Sequence, residues 1–289
     1  LKQLAIEAME KLPEAAKEVD KSLYVDDLIS GAPTVEKAIK LFQGIDQIIQ
    51  GGAMKIRKIC SNSLEFLSTI PEVDQESPAV DMTMKALGIK WKPSTDEIEF
   101  EIHPIESCKV TKRIALAEIS KIYDPEGLLG PVIFKFKTFM KTVHLLKGTW
   151  DEKLPADITN EWNQLANSFI DLRKIRVPRQ VTLKHFKTLQ MHGFSDASDL
   201  GYGAAIYIRT EDENGNLATN LLCAKSRLAP NKRISTARLE LCGAVIMIHL
   251  MNRVEEALIT KPDLKVCWMD SAIAIHWLKR SPSELQPYV

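Results

Sequence analysis

Residues 192–205, with the sequence HGFSDASDLGYGAA, place one aspartate in a strand pattern and follow it with closely spaced glycines. The residues around this stretch predict two strands, Met191–Asp196 and Gly201–Ile208. The following patterns predict a third strand over Leu221–Lys225, a helix over Thr236–Ala257, a fourth strand over Leu264–Met269 and a helix from Ala272. This order of elements predicts a mixed α/β sheet and excludes a helical bundle.

Three isolated carboxylates, Asp196, Glu240 and Asp270, fall in otherwise apolar surroundings of this predicted sheet. Burial of an unpaired carboxylate is unfavourable, so each of them needs a cation or a hydrogen-bond partner. Each also has a structural explanation. Asp196 could form a turn, Glu240 could interact with a positive helix N-terminus, and Asp270 could cap the last helix.

The earlier part of the chain mixes helical and strand patterns. Apolar spacing predicts helices, and short alternating runs predict strands. The predicted helices cover residues 3–20, 35–49, 112–122, 133–146 and 158–172, and the predicted strands cover 54–59, 84–91 and 97–102.

A second acidic feature, Tyr24-Val25-Asp26-Asp27, lies between two very short predicted strands. Adjacent carboxylates at a hairpin tip repel each other unless a cation lies between them. In phosphoryl transfer, carboxylates hold the divalent ions that clamp the attacking and leaving oxygens. The simpler alternative is an exposed Asp-Asp turn without catalytic function.

The 38 basic and 38 acidic residues cancel, but they are unevenly distributed. Residues 109–147 and 171–187 are rich in lysine and arginine, so they could follow a polyanion such as nucleic acid. The alternative is that they form solvated helix faces.

Composition excludes several classes of protein. A hydrophobic content of 45% and a charged content of 26% exclude wholesale disorder and fibrous structure. No apolar run approaches the roughly 20 residues of a membrane helix. The charged N-terminus is unlike a signal peptide. The five scattered cysteines favour a reducing compartment, so we expect a cytoplasmic protein without disulfide bonds or a cysteine zinc site.

The chain resembles the BEL/Pao group of retrotransposon polyproteins, and the matching segments occur in the family order. They cover residues 24–31, 51–58, 60–63, 87–91, 111–113 and 123–131. Residues 192–205, 238–241 and 268–271 resemble the ribonuclease H domain that follows the polymerase in retroelements. The resemblance implies an α/β (α+β) fold. The implied fold consists of three parts. They are a partial reverse transcriptase palm over 1–105, a helical thumb and connection over 106–190, and a ribonuclease H-like domain over 191–289 that is truncated at its C-terminus.

The same resemblance implies two activities, RNA-directed DNA synthesis and hydrolysis of RNA in RNA–DNA hybrids. Asp26 and Asp27 would be metal-holding carboxylates of the polymerase, which is a transferase. Asp196, Glu240 and Asp270 would hold two Mg²⁺ or Mn²⁺ ions of the ribonuclease H, which is a hydrolase and endonuclease. The implied partners are RNA–DNA hybrid, template-primer and the remainder of the polyprotein, and no membrane is implied.

The family pattern includes a further catalytic aspartate and the fingers well upstream of Asp26, and a fourth ribonuclease H carboxylate on a later helix. We therefore expect this chain to be inactive as a polymerase. A competing hypothesis is a non-catalytic nucleic-acid-binding or interaction protein derived from a retroelement. The sequence has no Asp-Ser-Gly or Asp-Thr-Gly, and no zinc-binding spacing of histidine and cysteine. We therefore expect neither an aspartic peptidase nor an integrase zinc module.

Overall fold

The structure is a computed structural model that describes residues 1–76, 83–103 and 109–285. The chain divides into two compact units: residues 1–100 with 175–179, and residues 101–174 with 180–289. The boundary expected between residues 105 and 106 lies outside the described residues, and the one expected between 190 and 191 lies within the second unit. The three-part division stays a prediction.

The first unit begins with a small helical core and a two-stranded hairpin. Pro13 starts a new helix, because proline is tolerated in the first turn but not in a helix interior, so the helix predicted over residues 3–20 is two helices. Thr34 caps the third helix by accepting a hydrogen bond from the backbone N–H of Lys37. The elements are α1 (Lys2–Ala8), α2 (Pro13–Ser22), β1 (Leu23–Tyr24), β2 (Asp27–Leu28) and α3 (Val35–Gly51).

The rest of the first unit is α4 (Leu64–Ser68), a 3₁₀ turn (Glu72–Asp74) and an antiparallel sheet of β3 (Met84–Ala86), β4 (Ile89–Lys92), β5 (Glu97–Glu99) and β6 (Arg176–Pro178). The strand predicted over 84–91 is a tight hairpin, because Leu87 and Gly88 both have positive φ. The strand predicted over 54–59 is wrong. Ala53 and Lys58 have positive φ, which breaks an extended ladder, and Ile59 makes an isolated bridge.

The second unit begins with the helices predicted from apolar spacing, which pack around buried aromatic residues. Phe139 and Trp162 are each 1% exposed, and their ring centroids lie 5.4 Å apart. Val143 and Ile158 belong to the same buried cluster. The helices are α5 (Lys112–Ser120), α6 (Gly130–Leu145) and α7 (Ala156–Leu172).

A four-stranded sheet and a long helix form the rest of the second unit, as the order of elements predicts. The strands lie in the order β10-β7-β8-β9, and β10 runs parallel to β7 while the other pairs are antiparallel. The elements are β7 (Thr188–Ser198), β8 (Gly201–Glu211), β9 (Leu217–Leu228), α8 (Thr236–Ala257), β10 (Leu264–Trp268), α9 (Ala272–Leu278) and a 3₁₀ turn (Pro282–Glu284).

Strand β7 shows the alternation that fixes which face of this sheet is covered. Leu189, Met191, Gly193 and Ser195 are buried. Phe194 and Asp196, which alternate with the last two of these, are exposed. The buried face packs against α8 through Met247 and Met251, whose side chains leave no space for a Cβ at Gly193. The helix therefore lies on one face of the sheet, and alternate residues of β7 point away from it.

Helix α6 and the loop before it cover the free edge of β9. The backbone N–H of Ala224 donates to the carbonyl of Glu126, and Lys137 and Lys141 donate to the carbonyls of Ser226 and Ala229. These bonds satisfy edge groups that would otherwise be open to another strand. The segment expected to belong to a thumb and connection is thus in contact with the sheet of its own unit.

None of the helices in the described ranges has the length and apolar character needed to cross a membrane.

We predict that Gly127→Ala destabilises the second unit by more than about 2 kcal/mol. Gly127 has a φ of +73°, and a Cβ there would lie 2.0 Å from the carbonyl oxygen of Ala224. Gly215→Ala is the matched control, because Gly215 has a φ of +80° with nothing within 4 Å. It should lose only about 1 kcal/mol from backbone strain. Equal losses in denaturant unfolding, followed by tryptophan fluorescence, would show that the loop does not constrain β9.

Candidate metal centre

Two parallel strands bring Asp196 and Asp270 to the same edge of the sheet. The pairing of β10 with β7 aligns Trp268 with Phe194, and each aspartate lies two residues beyond one of these partners. Carboxyl ends of parallel strands meet at one edge, which is where side chains for ligand binding converge. The two aspartates are therefore placed side by side by the strand register itself.

Helix α8 brings the third carboxylate, Glu240, to this edge. Gly243, less than one turn further along α8, packs directly on the sheet. A Cβ at Gly243 would lie 3.4 Å from the carbonyl oxygens of both Asp196 and Gly203. This close approach holds the preceding turn of the helix against the end of β7. As a result, ligand atoms of Asp196, Glu240 and Asp270 all lie within 4.8 Å of one another.

The carboxyl group of Glu240 is buried with one of its two oxygens unpartnered. The residue is 6% exposed, and its Oε2 has no hydrogen-bond partner. Burial raises the pKa of this carboxyl group, and the neighbouring charges of Asp196 and then Asp270 raise it further. The backbone N–H of Ala197 acts in the opposite direction but does not offset these effects. Three clustered carboxylates with one unpartnered buried oxygen fit a divalent cation, which prefers oxygen ligands and supplies the missing positive charge.

The cap and turn roles considered for these carboxylates do not explain their positions in the structure. Asp270 is not the N-cap of α9, because Ser271 has that role and its hydroxyl accepts from the backbone N–H of Ala274. Asp196 lies inside β7 and its Oδ1 accepts from the N–H of Ala197, so it is not only a turn residue. Glu240 makes no side-chain cap for α8.

The Asp26–Asp27 hairpin forms as predicted, but it gathers no further ligand. Leu23 pairs with Leu28 and Tyr24 with Asp27, and Val25 at the tip has a φ of +56°. Both aspartates are exposed. Within residues 1–76, 83–103 and 109–285, the group of three carboxylates that could hold a metal ion is the one around Glu240, and neither hairpin aspartate belongs to such a group.

Two features of the site were not identified from the sequence. Gly243 sets the distance between α8 and the sheet, and an isolated glycine inside an apolar helix is the signal that could have identified it. Asp199 and Thr236 tie the start of α8 to the turn after β7 through a 3.0 Å hydrogen bond between their side chains. That contact has no signal in the sequence, because it depends on the packing of α8 against the β7–β8 turn.

We predict that Glu240→Gln makes the metal-free protein more stable than wild type at neutral pH. Because folding raises the pKa of Glu240, the folded state favours its protonated form. The wild type therefore loses this contribution as the pH rises above the ordinary glutamate value of about 4.3. The advantage of the variant should shrink as the pH is lowered towards 4 in thermal unfolding with a chelator. A difference that does not change with pH would contradict the assigned environment of Glu240.

A mixed α/β sheet with carboxylates from two parallel strands and a crossing helix defines the second unit as a ribonuclease H-like domain. Residues 111–271 match the family model of the Pao retrotransposon-like RNaseH-like domain. The match covers more than half of the chain, so the chain belongs to this family. No curated protein matches it. Helices α5, α6 and α7 lie within the matched region, whereas the Asp26–Asp27 hairpin lies outside it.

Proposed function

We propose that the second unit hydrolyses RNA in RNA–DNA hybrids with the help of divalent metal ions, as part of a Pao-type retroelement polyprotein acting in the cytoplasm. The observation that carries this proposal is the buried, unpartnered Oε2 of Glu240 against Asp196 and Asp270. Such an arrangement is unfavourable in a protein without a bound cation, and ribonuclease H-like domains typically use divalent ions. Membership of the family supplies the nucleic-acid substrate class.

The roles of the three residues follow from their positions. Asp196 and Asp270 are exposed and can reach a ligand at the surface, while the buried Glu240 holds the inner side of the site. When bound, Mg²⁺ or Mn²⁺ would supply positive charge that activates water and stabilises the oxygen leaving a phosphodiester. The protein holds the three carboxylates on a strand, just beyond a strand end and on a helix, so elements of regular structure keep them close together.

We predict that Asp196→Asn removes magnesium-dependent cleavage of a labelled hybrid, on the order of a hundredfold or more. It should leave the metal-free fold equally stable or more stable, because it relieves repulsion and the asparagine Oδ1 can still accept from Ala197. Wild type should gain melting temperature in millimolar magnesium by mass action, and the variant should gain less.

Asp199→Asn is the matched control for this experiment. It removes the same charge three residues further along, and its amide oxygen can still accept from Thr236. Cleavage and metal-dependent stabilisation should both persist. If magnesium shifts the melting temperature of neither wild type nor Asp196→Asn, and Asp196→Asn simply unfolds earlier, the carboxylates are structural. Hybrid binding without cleavage by wild type would then favour the non-catalytic alternative.

We further propose that residues 1–105 derive from a reverse transcriptase palm and residues 106–190 from its thumb and connection. The support for this is the resemblance in sequence and the hairpin that places Asp26 and Asp27 together at a turn. Their role as metal-holding polymerase residues is part of the same proposal.

We predict that the 289-residue chain does not extend a DNA primer on an RNA template. Two exposed hairpin carboxylates offer too few ligands to fix two metal ions, and no third carboxylate joins them in the described part of the chain. The measurement is nucleotide incorporation into a labelled primer, with Asp26→Asn as the control variant. Template-dependent extension by the purified chain that Asp26→Asn abolishes would refute the prediction.

A further inference from the structure

The position of Glu240 depends on the first turns of α8, which have no side-chain cap of their own. The N-cap residue, Ser235, makes no side-chain hydrogen bond to the helix. A helix N-terminus without such a bond leaves backbone N–H groups unsatisfied and is less firmly held. Because Glu240 lies close to this end of α8, contacts from outside the helix contribute to holding it beside Asp196 and Asp270.

The first of these contacts joins α8 to the turn between β7 and β8. The hydroxyl of Thr236, the first residue of α8, donates to Oδ1 of Asp199 over 3.0 Å. Asp199 follows the end of β7, the strand that carries Asp196. A single hydrogen bond therefore links this turn to the helix that carries Glu240, so the position of the turn affects both carboxylates.

The segment before α8, residues 229–235 and here called the α8 loop, is bonded to the same turn. The loop begins at the buried Ala229, whose backbone N–H donates to the carbonyl of Leu200 over 2.8 Å. Thr236 follows its other end and bonds to Asp199. The two ends of the α8 loop are therefore held by adjacent residues of one turn.

Helix α6 contacts both the loop and the turn. The ammonium group of Lys141, which is half-buried, donates to the carbonyl of Ala229 over 2.7 Å. The aromatic ring of Phe134, also on α6, packs against Gly201, where a Cβ would lie 2.7 Å from it. Because Gly201 directly follows Leu200, α6 supports the turn on one side and the α8 loop on the other.

A simpler explanation is that Lys141 only protects the edge of β9, as Lys137 does by donating to the carbonyl of Ser226. The partners of the two lysines differ, however. Ser226 lies within β9 and is already paired with β8. Ala229 lies just beyond the end of β9, and the next residue, Pro230, has no N–H to donate. The bond from Lys141 therefore fixes the α8 loop, which the ladder of β9 does not hold.

We propose that Lys141 is a positioning residue of the metal centre. By fixing Ala229, its ammonium group holds the turn after β7 and the start of α8 in place. These two segments in turn keep Asp196 and Glu240 at the spacing that a divalent ion requires. The proposal rests on the proposed metal centre and extends its support to a helix outside the sheet. Groups that orient metal ligands without touching the metal change the affinity of the site.

The test is Mg²⁺ binding by the full chain, measured by titration calorimetry without nucleic acid. Lys141→Met keeps an unbranched apolar side chain but removes the donor, so it should weaken Mg²⁺ binding by about threefold to tenfold. The direction of the change is informative, because losing a positive charge strengthens cation binding if the charge acts only through electrostatics. Lys141→Arg retains a charged donor and should restore Mg²⁺ binding.

Two control variants separate positioning from a loss of stability or of charge. Lys112→Met removes a buried lysine that donates to two backbone carbonyls in the same unit. It should lower the melting temperature and leave Mg²⁺ affinity unchanged. Lys135→Met removes a charge at an exposed position of α6 and should not weaken Mg²⁺ binding. The proposal is overturned if Lys141→Met leaves Mg²⁺ affinity unchanged or raises it, or if Lys112→Met lowers it equally.

Hydrogen exchange in a chelator tests the contacts of Lys141 without any metal. Lys141→Met should speed exchange at Ala229 and over residues 236–240, whereas Lys112→Met should not. Unchanged exchange in Lys141→Met would overturn the proposal. Faster exchange together with a wild type that binds no Mg²⁺ would support the tether and refute the proposed metal-dependent hydrolysis. Mg²⁺ binding by wild type that Lys141→Met does not weaken would refute only the role of Lys141.

Discussion

The burial of the Glu240 carboxyl group against Asp196 and Asp270 is the constraint around which the second unit is arranged. Like charges within a few ångströms disfavour the folded state, and the desolvated Oε2 of Glu240, which has no hydrogen-bond partner, disfavours it further. The protein nevertheless holds them together through strand pairing and helix packing that are rigid on their own. Stability elsewhere in the unit therefore offsets this arrangement, which protonation of Glu240 or a bound cation would relieve.

Strand β7 is central to that arrangement because it contacts both the helix and the two neighbouring strands. Its buried face packs against the methionines of α8, and its edges pair with β8 and β10. Asp196, near its C-terminal end, belongs to the acidic cluster. A one-residue shift in its register would move every side chain to the opposite face and take Gly193 away from Met247 and Met251 of α8. The eleven-residue pairing with β8 makes such a shift unfavourable, so this antiparallel ladder also fixes the position of the acidic site.

The parts of this structure that depend on local patterns could be predicted from the sequence. The bounds of α8 agree with the prediction, since its apolar run is bounded by polar residues, and the hairpin around Asp26 forms where the two short strands were expected. The convergence of Asp196, Glu240 and Asp270 was inferred from family resemblance and agrees with the structure. Their catalytic role stays a prediction, because geometry alone does not test it.

The parts that depend on tertiary contacts could not be predicted. The apolar residues at 54–59 suggest a strand, but the chain turns at Ala53 and Lys58 and finds no partner ladder. Whether a surface lysine is free or bonded is also a tertiary property. Composition marked residues 109–147 as basic, yet Lys137 and Lys141 bond to the edge of β9, which is more than 80 residues away in the chain. Charge density along a sequence is therefore a poor guide to the charge available to a ligand.

The same edge of β9 shows why the free charge lies where it does. The backbone groups of Ala224 and Ser226 point towards α6 and its loop, which occupy them with hydrogen bonds. The side chains of Lys225 and Arg227 lie on the face of β9 that carries the buried Cys223, and both are exposed. Helix α6 and its loop thus protect the backbone of this edge while two exposed cations remain two strands from the acidic site. A chain with no net charge thereby has adjacent regions of opposite sign.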